Sequence, residues 1–209
     1  MALESLVLSP VIPRHLPRLP ARERAWPVQG EWTYEDYARL PDDGRRYEII
    51  KGVLYVAAAP NLNHQYTVTR LVVHLDRFVT DHQLGLVLVA PFKVRLPDIA
   101  QVVQPDVLFI SSEHIPQPGA SRFTGAPELV VEVLSRSTAR TDKMVKFYAY
   151  ERAGVREYWL VDPYTHVVEV YSLSDEGIFE LTGQYTSGKT VESGVLSGLA
   201  LAVDDLFVD

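Results

Sequence analysis

Glu128-Leu129-Val130-Val131-Glu132-Val133-Leu134 is the stretch whose reading decides the fold of this chain. Its run of leucine and valine suits a strand covered on both faces, yet Glu132 lies inside it. Side chains alternate along a strand, so Glu128, Val130, Glu132 and Leu134 share one face, and the Glu132 carboxylate stands between apolar neighbours. An ionised acid there needs a cation, hydrogen bonds or a raised pKa, remedies commoner at functional sites than elsewhere. The plainer alternatives are an exposed strand end or an arginine partner.

Two further pieces flank this strand. Upstream, Gln104-Pro105-Asp106 opens another apolar run. Asp after Pro is ordinary turn chemistry, but acids at the ends of neighbouring strands can meet on one sheet edge. Two such oxygens suit Mg²⁺, which takes few protein ligands and keeps its waters. Downstream, Lys146 lies four residues after Asp142 and four before Tyr150, one stripe on a helix. A surface Asp142–Lys146 ion pair is the competing reading. Two carboxylates and one ammonium form the set that divalent-metal phosphodiester cleavage requires.

At 209 residues, 47% of them hydrophobic, the chain is long enough for one globular domain, here expected over residues 31–209. Residues 1–30 form a Pro-rich arm, either disordered or packed on a partner; its five prolines interrupt the apolar runs that a signal peptide would need. With no cysteine, a metal must be held by oxygen or imidazole, and the scattered histidines argue against zinc. The absence of cysteine also agrees with a cytoplasmic protein. A formal net charge of −7 excludes coating nucleic acid by bulk electrostatics, so DNA contact must be local. Residues 136–157 supply such a locality, or a solvated helix face, with Arg136, Arg140, Lys143, Lys146, Arg152 and Arg156 against Asp142, Glu151 and Glu157.

Elements follow from local pattern. Thr33-x-x-Asp36 predicts a capping box and a short helix. Residues 47–50 and 53–57 predict a hairpin across Lys51-Gly52, and helical spacing runs from after Asn61 to about His82. Strands are expected at 85–90, 92–96, 107–110, 129–134, 156–161, 166–172 and 178–182, with a helix over 141–152 stopping at Gly154. The C-terminal apolar stretch 196–206 serves an interface or closes the sheet.

Taken with Tyr47-Glu48-Ile49-Ile50-Lys51-Gly52, His64-Gln65, Glu132-Val133-Leu134-Ser135-x-Ser137-Thr138 and Ala153-Gly154-Val155-Arg156-Glu157-Tyr158-Trp159-Leu160-Val161-Asp162-Pro163, these pieces resemble the bacterial Uma-type endonuclease family of the PD-(D/E)XK superfamily. The resemblance runs from about Trp32 to Leu173. It implies an α/β (α+β) fold of restriction-endonuclease-like type, a mixed central sheet flanked by helices, with metal-dependent cleavage at one sheet edge. It also implies Asp106 and Glu132 as metal ligands, Glu48 as an additional upstream acid, and His64 as a phosphate or supporting contact. A hairpin-side Glu48 is otherwise exposed, and a capped His64 otherwise faces solvent. Leu134 stands where the superfamily places its lysine, so Lys146, with Lys143 as second choice, must enter from the following helix.

The reading at this stage is a Mg²⁺- or Mn²⁺-dependent deoxyribonuclease acting as a homodimer. The alternative is a catalytically weak or inactive nuclease-fold module that binds nucleic acid or protein. A metal-free acid and base pair of glycosidase type has little support, since Trp26, Trp32 and Trp159 form no sugar platform near either acid.

Overall fold

Thr33 opens the first helix, α1 (Tyr34–Tyr37), through the expected capping box: its hydroxyl accepts from the Asp36 N–H, and the Asp36 carboxylate accepts from the Thr33 N–H. Next comes the hairpin of β1 (Arg46–Ile50) and β2 (Val53–Ala57). Lys51 and Gly52 turn with φ of 48° and 71°, the left-handed pair that matches strand twist in a two-residue turn. Gly52 is required there, because a Cβ would stand 2.2 Å from the Gly30 carbonyl oxygen. The computed structural model describes Leu16 and residues 26–57 and 59–208, so most of the arm expected at residues 1–30 lies outside the described residues. Of that arm, Leu16 and Trp26 pack on the small cluster of Trp32, Tyr47, Ile49 and Leu54. Trp26 and Trp32 stack with ring centroids 5.5 Å apart.

Asn61 caps α2 (Leu62–Asp81) by accepting from the His64 N–H. After it run β3 (Gly85–Val89), β4 (Lys93–Leu96), β5 (Ala100–Val103), β6 (Val107–Ser111), β7 (Arg122–Thr124) and β8 (Leu129–Val133). A π-helical turn (Thr141–Lys146) leads into α3 (Phe147–Ala153), which ends at Gly154 with φ 84°. The remaining strands are β9 (Glu157–Asp162), β10 (Val167–Leu173), β11 (Phe179–Tyr185), β12 (Thr190–Val191) and β13 (Leu201–Ala202).

This is the mixed α+β, restriction-endonuclease-like class, but its strands divide between sheets. Six strands lie in the order β11-β10-β9-β8-β6-β3 and five in the order β2-β1-β5-β4-β7, with β12 and β13 paired apart. The pattern of residues 85–96 does not reveal that β3 and β4 join different sheets. Two short strands, β5 and β7, have no clear sequence signal; β5 is held by pairing with β1 and β4, and β7 by parallel pairing with β4.

The six-stranded sheet is covered on both faces. One face packs Val107, Val131 and Trp159 against Leu71, Leu75 and Val79 of α2 and against the C-terminal Leu196, Leu201 and Leu206. Stretch 196–206 therefore closes this core. The other face packs Leu108, Val130 and Leu160 against Tyr150 of α3 and against Ile50, Val94 and Val103 of the five-stranded sheet. This second layer, between the two sheets, is where Glu132 points.

Candidate active site

The acids meet because of strand register. β6 and β8 pair antiparallel with Val107 opposite Val131, so Asp106, one step before β6, faces Glu132. The Val133 N–H donates to Asp106 Oδ2 at 3.0 Å and fixes that carboxylate to β8. Glu48 arrives from the other sheet on β1, where its Oε1 accepts from the Gln104 N–H at 2.7 Å. From the π-helical turn, Lys146 reaches inward: its Nζ lies 3.0 Å from Glu132, 3.1 Å from Glu48 and 3.5 Å from Asp142. Tyr150 donates its hydroxyl to the same Glu132 Oε1 at 2.9 Å.

The 142–146–150 stripe is thus real, but it is not on an ordinary α-helix. Phe147 donates its N–H to the Asp142 carbonyl, five residues back, in a wider coil of the kind that recurs at functional sites. The Asp142–Lys146 pair is buried, not superficial, and Lys143 is exposed, which leaves Lys146 as the lysine of this site. Leu134 is core. Glu48, which a hairpin would be expected to expose, is buried because its face of β1 meets Lys146 and the acids carried by the other sheet.

Asp106 is held on its other side. Arg46 donates to Oδ1 at 2.6 Å, and His64 Nε2 lies 3.1 Å from Oδ2. His64 is only 4% exposed, so it does not face solvent, and its Nδ1 has no partner among the described residues. Arg46 was not singled out from the sequence, although the signal existed: it lies two residues before Glu48 and so shares its strand face. Tyr150 and Asp142 were visible as members of the helix stripe, without an assigned role.

Burial and charge act in opposite directions on these groups. Burial pushes Asp106 up, but the hydrogen bond from His64 and the charges of Arg46 and Lys146 outweigh it and hold the carboxyl at about 2. At Glu132 burial dominates, and Asp142, Asp106 and Glu48 add to it against Lys146, so its pKa stands well above the usual carboxylate range. Asp142 is raised for the same reasons, burial first. Burial alone would lower Lys146, but Glu132, Glu48 and Asp142 overcome it and raise the ammonium well above its usual value.

Four buried carboxyl groups, Glu48, Asp106, Glu132 and Asp142, thus share two cations, Lys146 and Arg46. Among the described residues no three His, Asp or Glu side chains converge as a ready metal cage. Asp106 and Glu132 instead take their cations from Arg46 and Lys146. The set still fits a hard divalent ion: every donor is oxygen, and the acids outnumber the cations in a place where unpaired negative charge is costly. A cleft of about 60 Å³ opens between them, lined by Arg46, Glu48, Asp106, Glu132, Asp142 and Lys146. Beside it lies a larger cavity of about 660 Å³.

The family model for Uma2, described as "Putative restriction endonuclease", matches residues 34–204. The chain belongs to that family. Similar proteins occur in Synechocystis sp.. The uncharacterized protein sll1609 is 30% identical over 129 residues, 59% of this chain and 70% of the relative. The uncharacterized protein slr1290 is 26% identical over 179 residues, 83% of this chain and 90% of the relative. Among solved structures, a "putative nuclease belonging to DUF820" from Anabaena variabilis superposes with a TM-score of 0.71 at 20% identity, covering 83% of this chain and 96% of that one. At that identity the likeness concerns the fold. Among the described residues of this Uma2 chain, no helix is long and apolar enough to cross a membrane.

Proposed function

We propose that this Uma2 protein is a metal-dependent deoxyribonuclease that hydrolyses phosphodiester bonds at the Asp106–Glu132 cleft. The observation that carries the reading is the surplus of buried carboxylates around Lys146, an arrangement that is costly to bury and has a direct use in holding Mg²⁺ or Mn²⁺. Asp106 and Glu132 would hold the ion, which when bound supplies an activated water and charge stabilisation at the phosphate. Asp106, whose pKa is held low by the His64 hydrogen bond and the Arg46 charge, would ligate as a carboxylate. Glu132, whose pKa burial raises, would have to be ionised to serve as the second ligand. Lys146, held by Glu48 and Asp142 as well as by Glu132, would orient the nucleophilic water or balance charge at the phosphate. Glu48, held on β1 of the second sheet by the Gln104 N–H, would fix Lys146 in place.

DNA as the substrate draws support from charge placement. Across residues 136–157, Asp142, Lys146 and Glu157 are buried, while Arg136, Arg140, Lys143, Arg152 and Arg156 are exposed. The solvent-facing part of this segment is therefore more cationic than its sequence suggests, and it offers phosphate contacts on a protein of net charge −7. Cutting both strands of a duplex calls for two such sites, hence a homodimer. The second reading, a binding module without turnover, has one observation in its favour: Lys146 and Arg46 already occupy the acids that a metal needs.

Calorimetry with Mg²⁺ or Mn²⁺ on the wild type and on Asp106→Ala with Glu132→Ala, followed by plasmid nicking on the same samples, separates the two. Metal binding and nicking that disappear together in the double variant support the nuclease. DNA binding without metal binding or nicking in the wild type leaves the binding module.

A further inference from the structure

The 660 Å³ cavity is not used by the chemistry above, yet it shares Arg46, Ala57 and Asp106 with the carboxylate cleft. Its volume falls within the roughly 300–1,000 Å³ of small-molecule pockets and is far too small for a duplex. The floor is deep: His64, Val68 and Gln104 line it and are almost fully buried. The rim carries two cations, Arg45, exposed, and Lys93, half-buried and set 5.2 Å over the ring of Tyr37, beside one exposed acid, Asp42. Lys93 makes no ion pair among the described residues, whereas Arg45 reaches Asp43 only at 3.7 Å. An apolar and amide floor beneath cationic side chains suits a heteroaromatic ring carrying a phosphate.

We propose that this cavity is a nucleotide subsite that receives one unpaired nucleotide of the DNA strand lying across the Asp106–Glu132 cleft. The base enters the recess, and its phosphates lie on Lys93 and Arg45. The inference rests on the nuclease reading and deepens it, because it names the substrate class: strands with a bulged, flapped or otherwise unpaired nucleotide next to the bond to be cut. A fully paired base stays in its stack unless unpairing is paid for by a few kcal/mol, and an already unpaired one avoids that cost. The shared wall is the reason for assigning the ligand to the strand itself, since a base seated there leaves its strand next to Arg46 and Asp106, which line both cavities.

The test uses the full chain without metal, so that binding is read apart from cleavage. Fluorescence anisotropy compares an oligonucleotide duplex carrying a one-nucleotide bulge with the fully paired duplex. Ala59 is exposed, lines this cavity and does not line the cleft. The wild type should prefer the bulged duplex by about tenfold or more, and Ala59→Trp should abolish that preference while leaving binding to the paired duplex and Mg²⁺ calorimetry unchanged. Lys93→Glu, a rim change of different shape, should weaken the bulged complex more than the paired one. Equal affinity of the wild type for both duplexes, or a preference that survives both substitutions, overturns the subsite. Saturable binding of free dAMP that is lost in Ala59→Trp, without any bulge preference, overturns the strand assignment in favour of a free nucleotide. Failure of the nuclease reading looks different: a bulge preference sensitive to Ala59→Trp, with neither metal binding nor nicking, keeps the subsite and removes the chemistry.

Discussion

Replacing Lys146 with methionine should make stability fall more steeply with rising pH than it does in the wild type. Methionine fills a similar volume, so the change removes charge while limiting the cavity left behind. Lys146 Nζ has carboxylate oxygens at 3.0, 3.1 and 3.5 Å and is 6% exposed. Removing one partner of a buried ion pair costs about 3–5 kcal/mol, because the remaining charge is left without compensation. Here the remaining acids can escape by binding a proton. Glu132 and Asp142 already have raised pKa values, through burial first and then their acidic neighbours, and without Lys146 they rise further. Above the unfolded carboxylate range the folded variant then binds a proton that the unfolded chain does not, so its stability falls as pH rises, by about 1.4 kcal/mol per pH unit per proton. Urea unfolding at pH 6 and pH 8 should therefore show a loss that is about 2–3 kcal/mol larger at pH 8 if one proton is involved. Glu132→Gln should behave oppositely. It keeps an oxygen for Tyr150 and Lys146 and removes the worst-placed acid, so stability at pH 8 should hold or rise by about 1 kcal/mol. A Lys146→Met loss that is equal at both pH values would refute the buried carboxylate cluster as the source of the effect, and a Glu132→Gln variant less stable at pH 8 would show that the acid is structural.

Other perturbations reach separate parts of the argument. Mg²⁺ binding should release protons, because Glu132 must ionise to ligate; calorimetry in buffers of different ionisation enthalpy should show release that shrinks as pH rises, and none at any pH would count against Glu132 as a ligand. Arg46→Met frees Asp106 from its 2.6 Å partner and should tighten Mg²⁺ by about tenfold, about 1.4 kcal/mol, while weakening DNA binding; weaker Mg²⁺ binding would mean that Arg46 supports the ligand rather than competing with the ion. Gly52→Ala should lower stability by about 2–3 kcal/mol in thermal or urea unfolding, since its Cβ meets the Gly30 carbonyl at a left-handed φ.

The sequence by itself determined the local features: the Thr33–Asp36 cap, the Lys51-Gly52 turn, α2 after Asn61, and the apolar β8 with a single inward acid. Each depends on residues within a few positions of one another, where side-chain alternation, capping and turn chemistry act directly. It also marked Asp106, Glu132 and Lys146, because an acid inside an apolar strand is conspicuous and a helical stripe can be counted. The tertiary structure decided what these groups face. That Glu48 is buried, that Arg46 grips Asp106 and that Lys146 adds Glu48 to its two other acids depend on β1 of one sheet packing against β6 and β8 of the other, while His64 reaches Asp106 from α2. Pairing between segments distant in the chain left no local pattern at β5 or β7, and the π-helical turn was hidden because α-helical and π-helical spacing differ by one residue. Which acids are buried together, and hence which pKa values move, is set by contacts some sixty to a hundred residues apart in the chain, such as Arg46 with Asp106 and Lys146 with Glu48, and no periodicity in the sequence records them.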